Sequence, residues 1–167
     1  MMITSAGANK LLRKLEDDKQ FLLAQETTAA TYIVSEGIEP IIPNYDYKKT
    51  AQALAEIEEK IYSIKHALNV FNSTTILEGL DITIDTALVK MAQLNQRKRT
   101  LDGMRLRLEK ERVGGFGHST LVEYVCINYD LAEIQADYQS IGQQIMEIQL
   151  ALDLTNQTKP FLLDVEV

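Results

Sequence analysis

The sequence predicts a mainly α-helical protein: four long helices forming two helical hairpins about a pseudo-two-fold axis, as a bundle or coiled coil, with a small antiparallel β element. Two observations carry this. Leu131, Ile134, Tyr138, Ile141, Ile145, Ile148 and Leu152 are spaced 3, 4, 3, 4, 3, 4, which gathers them on one helical stripe that must find a partner. Residues 44–74 repeat 128–158 without a gap at an offset of 84, with ten identities in 31 positions. Ile and Leu recur in any heptad seam, but the polar matches are harder to obtain that way. Asn44, Tyr45 and Asp46 align with Asn128, Tyr129 and Asp130, and Asn72 and Thr74 with Asn156 and Thr158, which favours internal duplication.

At 167 residues and 46% hydrophobic, the chain suits a single domain of two repeats, about 5–74 and 83–158, followed by a tail at 159–167. A domain of this size buries roughly 70% of the surface its unfolded chain exposes. The formal charge of −7 opposes nonspecific binding to nucleic acid or anionic membrane. No apolar run approaches the roughly 20 residues that span a bilayer, and Met1–Asn9 lack the pattern of a secretory signal. The single Cys126 cannot form an internal disulfide, so a cytoplasmic location is expected.

Taken in order, a first helix opens at or beside Ser5, with Leu11, Leu12, Leu15, Leu22 and Leu23 on one side, and fades over Glu26–Thr31. The stretch from Thr31 to Pro43 is β-branched and punctuated by Gly37, Pro40 and Pro43, so it reads as a loop with an extended segment. Asp46 is suited to cap a second helix, whose seam is Leu54, Ile57, Ile61, Ile64, Leu68 and Phe71 and which stops near Asn72–Thr74. A third helix starts around Thr83–Asp85 and carries Leu88, Met91, Leu94, Leu101, Met104 and Leu108, with a bend or fraying expected at Gly103. Leu121–Ile127 reads as a short strand with Cys126 buried in it. Asp130 and Glu133 then open the fourth helix in the manner of a capping box. The tail after Pro160 is read as an added strand or a disordered end.

The offset superposes Val34–Pro43 on His118–Ile127, so each repeat reads helix, extended segment, helix. The simplest β element then pairs Ile38–Ile42 with Leu121–Ile127. The fourth helix also carries a surplus stripe at i, i+4, i+8: Met146, Leu150 and Leu154. Either that helix is the most central of the bundle or the stripe is an oligomer interface, and the balance favours a homo-oligomer.

Chemistry-bearing residues are sparse. Arg105, Arg107, Lys110 and Arg112 lead into Gly114, Gly115, Phe116, Gly117, His118, Ser119 and Thr120. Guanidinium groups beside a glycine-rich turn suit a phosphate or another anion, yet no Gly-Lys-Ser/Thr follows, so this is not a P-loop. A solvated basic face followed by a linker explains the same residues. Asn69, Asn72 and Thr75 form a polar row that is suited to a small polar ligand, or more simply to the open carbonyls of a helix end. His66 and His118 stand in different contexts, and Glu56, Glu58 and Glu59 read as an exposed face. No catalytic group, metal site or cofactor is expected from this pattern.

The row Asn69, Asn72, Thr75, with Gly79 and the segment Thr83–Leu94, resembles a family of small uncharacterised bacterial helical proteins, some labelled septicolysin. The likeness runs from the first helix to the end of the fourth. Leu152, Asp153 and Leu154 stand where that family's pattern has an Asn-Trp pair, which makes this chain a divergent member. The family supplies no active-site residues to carry over, and without a membrane-inserting stretch the cytolysin label is not a guide to function. The expectation is a non-enzymatic, self-associating interaction or scaffold protein. The second reading is a binder of a phosphorylated ligand or nucleic acid through residues 105–120.

Overall fold

A computed structural model describes residues 1–113 and 122–165. The element order is β1 (Met2–Thr4), α1 (Ser5–Ala29), α2 (Tyr47–Thr74), α3 (Ile84–Arg105), β2 (Lys110–Arg112), β3 (Tyr124–Cys126), α4 (Leu131–Thr158) and β4 (Pro160–Leu162). The protein is mainly helical, with its four helices packed in pairs, α1 with α2 and α3 with α4, and two small antiparallel sheets. Two compact units result, Met1–Thr75 with Asp153–Val167 and Ile76–Leu152.

In the first unit, Thr4 caps α1 by accepting a hydrogen bond from the Gly7 N–H at 3.2 Å, and Asp46 caps α2 by accepting from the Lys49 N–H, also at 3.2 Å. Both side chains satisfy amides that a helix start leaves open. The core is built from Ala8, Leu12 and Leu15 of α1, Ile64 and Leu68 of α2, and Leu163, with Ile57 and Ile61 packed against it. The α2 seam therefore faces α1, as its spacing requires. Ion pairs from Lys19 to Glu58 (2.6 Å) and from Lys65 to Glu16 (2.9 Å) flank the seam without being buried.

The tail is a strand. β4 pairs antiparallel with β1, Ile3 opposite Phe161, and the Met1 and Leu163 main chains exchange bonds of 2.6 and 2.8 Å. Hydrogen-bonded pairs alternate along such a ladder, which puts Pro160, opposite Thr4, at a position needing no N–H. Phe161 stacks on Phe71 at 4.8 Å between ring centroids, and Leu163 is fully buried.

In the second unit, α3 buries Ile84, Ala87 and Leu101 and half-buries Met91, Leu94 and Lys98. These positions are again spaced 3, 4, 3, 4, 3, with Lys98 occupying one seam position. Leu88, read from the sequence as part of this seam, lies off it and is exposed. α3 also ends earlier than expected, at Arg105, two residues past Gly103; Leu108 is exposed beyond it and Lys110–Arg112 form β2 instead of helix. The Tyr129 hydroxyl donates to the Met104 carbonyl at 2.8 Å, satisfying one of the acceptors at that helix end.

The predicted pairing of Ile38–Ile42 with Leu121–Ile127 does not form. β3 pairs with β2, Glu111 opposite Val125, while residues 38–42 belong to no strand; Leu121 lies outside the described residues. A strand supplied by the same connector costs less chain entropy to close than one from a distant segment. Cys126 sits in β3 as expected but is exposed, as are the other residues of β2 and β3.

α2 and α4 are each 28 residues long, and both their first and last residues stand 84 apart. On α4, Ile134, Ile148 and Leu152 are buried and Leu131, Tyr138, Ile141 and Ile145 half-buried, so all seven heptad positions face protein. Asp130 precedes the helix and accepts from the Ala132 N–H at 2.7 Å.

Candidate functional site

The basic segment at the end of α3 is where sequence reasoning placed a ligand. Arg105 is already engaged. Its guanidinium makes a two-nitrogen contact with the Asp102 carboxylate, at 2.7 and 2.8 Å, and stacks 4.4 Å from the centre of the Tyr138 ring. The Asp102 carboxylate holds the Arg105 pKa above its ordinary value, since the pair favours the charged form. Lys98 approaches the same ring, 5.0 Å from its centroid. Gly142 permits this: a methyl group there would come within 3.3 Å of the Lys98 Nζ. Tyr138 therefore sits between two cations that join α3 to α4, an arrangement that neither the heptad pattern nor the charge run disclosed.

Arg107 and Arg112 are exposed, and Lys110 lies over the Tyr124 ring at 4.1 Å. Gly114, Gly115, His118 and Ser119 lie outside the described residues. What can be placed of this candidate is thus one structural arginine, two solvated arginines and a lysine on an exposed ribbon.

The polar row does not converge. Asn69 is exposed, Asn72 half-buried and Thr75 buried, and at this helix end the Ser73 and Thr74 hydroxyls both donate back to the Val70 oxygen. In the repeat copy Thr158 donates to Leu154 in the same way. The surplus stripe on α4 is open to solvent: Met146 is 51% exposed, Leu150 62% and Leu154 57%.

One grouping escaped the sequence altogether. Ser63, His66 and Asp164 line one open groove of the first unit with Tyr62 and Leu162. Ser63 and His66 are one turn apart on α2, and Asp164 arrives only because β4 pairs with β1. Among the described residues no hydrogen bond links the three, so the relay that would activate a hydroxyl is not made. No group of three or more His, Cys, Asp or Glu side chains with metal-holding geometry occurs among the described residues, and no helix among them is long and apolar enough to cross a membrane.

The fold itself is shared. A crystal structure of a functionally unknown conserved protein from Corynebacterium diphtheriae superposes with a TM-score of 0.64, covering 97% of this chain and 100% of that one at 15% identity. No protein-family profile matches the chain, and no curated protein does. At that identity the likeness establishes architecture alone.

Proposed function

We propose that this chain is a non-enzymatic helical protein that self-associates and serves as an interaction or scaffold module. The observation that carries the reading is the α4 stripe: Met146, Leu150 and Leu154 expose their apolar side chains on the helix whose other stripe is covered from end to end. Apolar surface in such a row gains free energy from each neighbour that covers it, at about 25 cal/mol per Å². A cytoplasmic setting fits the single unpaired Cys126, and the asparagine-threonine row Asn69, Asn72, Thr75 supports divergent kinship with the bacterial helical proteins labelled septicolysin.

Light scattering at micromolar concentration tests the proposal, with a mass above one chain expected. Leu150→Asp should lower the mass while leaving helical content intact. Ile145→Asp, on the covered stripe, should unfold the chain. A strictly monomeric wild type, or equal effects from the two substitutions, removes the reading.

A second reading, anion or nucleic-acid binding through residues 105–120, is favoured by the exposure of Arg107 and Arg112 and weakened by the commitment of Arg105 to Asp102 and Tyr138. Salt-dependent binding of a phosphorylated ligand or an oligonucleotide that falls on Arg107→Ala would support it; unchanged thermal stability across such a panel would exclude it.

A further inference from the structure

We infer that the connector between α1 and α2 is an arm that adds a strand to the β2–β3 ribbon of a second copy of this chain, through a surface separate from the α4 stripe. Residues 31–43 carry six large apolar side chains that the single chain leaves uncovered, among them Ile33 at 88% and Ile41 at 92% exposure. The backbone hydrogen bond formed within the arm runs from the Ile38 N–H to the Ser35 carbonyl, closing a turn whose third residue, Gly37, has φ 79° and so suits the left-handed position of a type II turn. Beyond that turn Glu39–Pro43 belongs to no helix or strand, and among the described residues no backbone hydrogen bond reaches it.

The ribbon is the complementary half-structure. All six residues of β2 and β3 are exposed, and a two-stranded ribbon with neither face covered is marginal in water. Its ladder runs through Glu109 with Ile127 and Val113 with Glu123, and by alternation through Glu111 with Val125. The main chains of Lys110 and Arg112 therefore face outward on the β2 edge, where among the described residues no further strand pairs.

Three features fit the arm to that edge. The sequence offset aligns Pro40, Ile41 and Ile42 with β3 itself, while the residues that align with β2, Glu26–Thr28, are wound into α1; the first repeat holds the counterpart of β3, in no strand of its own, without a counterpart of β2 to pair it. Charge is complementary. Glu36 and Glu39 are the only charged residues of the arm, whereas Arg105–Arg112 hold four cations against two carboxylates. The prolines set the bonding side: Glu39 and Ile41 can donate toward the ribbon, while Pro40, turned outward, makes the arm a terminal strand that cannot recruit another. Antiparallel addition with Glu39 opposite Arg112 and Ile41 opposite Lys110 places carboxylate beside guanidinium. Each copy owns one arm and one ribbon, so the contact is one that two copies would make reciprocally.

Two charge-exchanged chains test this in solution, one carrying E36K and E39K, the other K110E and R112E. Each alone presents like charges and should self-associate at least about tenfold more weakly than wild type, whereas an equimolar mixture should recover association, because each arm then meets an opposite ribbon. Circular dichroism checks that both chains fold, as changes at exposed positions allow. Ile41→Pro should weaken association, and Ile42→Pro, whose N–H points away, should not. Unchanged self-association of either charge-exchanged chain, a mixture that fails to recover, or equal effects of the two prolines overturns the inference. Pairing within one chain would appear as no recovery on mixing. If Leu150→Asp alone abolishes association while the charge exchange does nothing, the α4 reading survives and the arm does not.

Discussion

The two ribbons of this protein have the same size and the same antiparallel pairing, yet they stand in opposite surroundings. β1–β4 joins the two ends of the described chain and lies on the first unit's core, with Phe161 stacked on Phe71 and Leu163 fully buried beside Ile64 and Leu68. β2–β3 joins residues about a dozen apart and buries none of its six residues. Ordering three rungs costs similar local backbone entropy in both places, and β1–β4 must also close a far longer loop, so what its strands cover has to make up the difference. The difference teaches that pairing here is a means of positioning side chains, and that among the described residues β1–β4 is covered while β2–β3 is not.

Substitutions should therefore separate the two sharply. Leu163→Ala removes a buried side chain that meets α1 and α2, and is expected to destabilise folding by about 2–5 kcal/mol, read as a fall in the denaturant midpoint without loss of slope. Val125→Ala, on the exposed ribbon, should change monomer stability by less than about 0.5 kcal/mol. A comparable loss from both would mean that β2–β3 is covered in the folded monomer, and the contrast would collapse.

How much of this was legible in the sequence follows from the range of the interactions. The seams of α2 and α4 are local in sequence, so periodicity placed Ile57, Ile61, Ile64 and Leu68, and Ile134, Ile148 and Leu152, on faces that the fold buries or half-buries. Strand pairing is not local. Met2–Thr4 gives no pattern of its own and finds Pro160–Leu162 at the far end of the chain, so nothing in either segment names the other. The α3 seam was obscured by chemistry. Lys98 occupies a seam position and is retained there by the face of Tyr138, so a pattern of apolar residues alone skipped it and admitted Leu88. For the candidate site the yield was smaller: spacing gathers Met146, Leu150 and Leu154 into a stripe without deciding whether it is covered, and the engagement of Arg105 by Asp102 and Tyr138 required the packing of two helices.

That aromatic and cation cluster supplies a test of intermediate size. Lys98 and Arg105 flank Tyr138 at 5.0 and 4.4 Å from its centroid, partly exposed, where each such contact contributes about 0.5–1 kcal/mol. Tyr138→Leu keeps apolar bulk and removes the ring face, so it should lose about 1 kcal/mol, and adding Arg105→Ala to it should cost less than Arg105→Ala costs alone. Simple additivity in that double-mutant cycle would show that the cations merely neighbour the ring.

The smallest effect concerns neither ribbon but the arm's second end, held by a polar contact instead of packing. The Tyr45 hydroxyl donates to Glu26 of α1 at 2.7 Å, and this bond to a carboxylate, reinforced by partial desolvation and the Glu26 charge, pushes the phenol pKa up to about 12 from the ordinary 10. The sign follows from the neutral form being favoured in the folded state. The stabilisation is fully present below pH 10, declines as pH rises, and is gone once the folded-state value near 12 is passed. Tyr45→Phe should therefore leave stability nearly unchanged above pH 12 and reduce it slightly at neutral pH, while a difference titration of tyrosinate absorbance between wild type and Tyr45→Phe should show one phenol ionising near 12. Glu26→Gln should return that midpoint toward 10. A wild-type phenol that already ionises near 10 would mean that Tyr45 leaves Glu26 in solution.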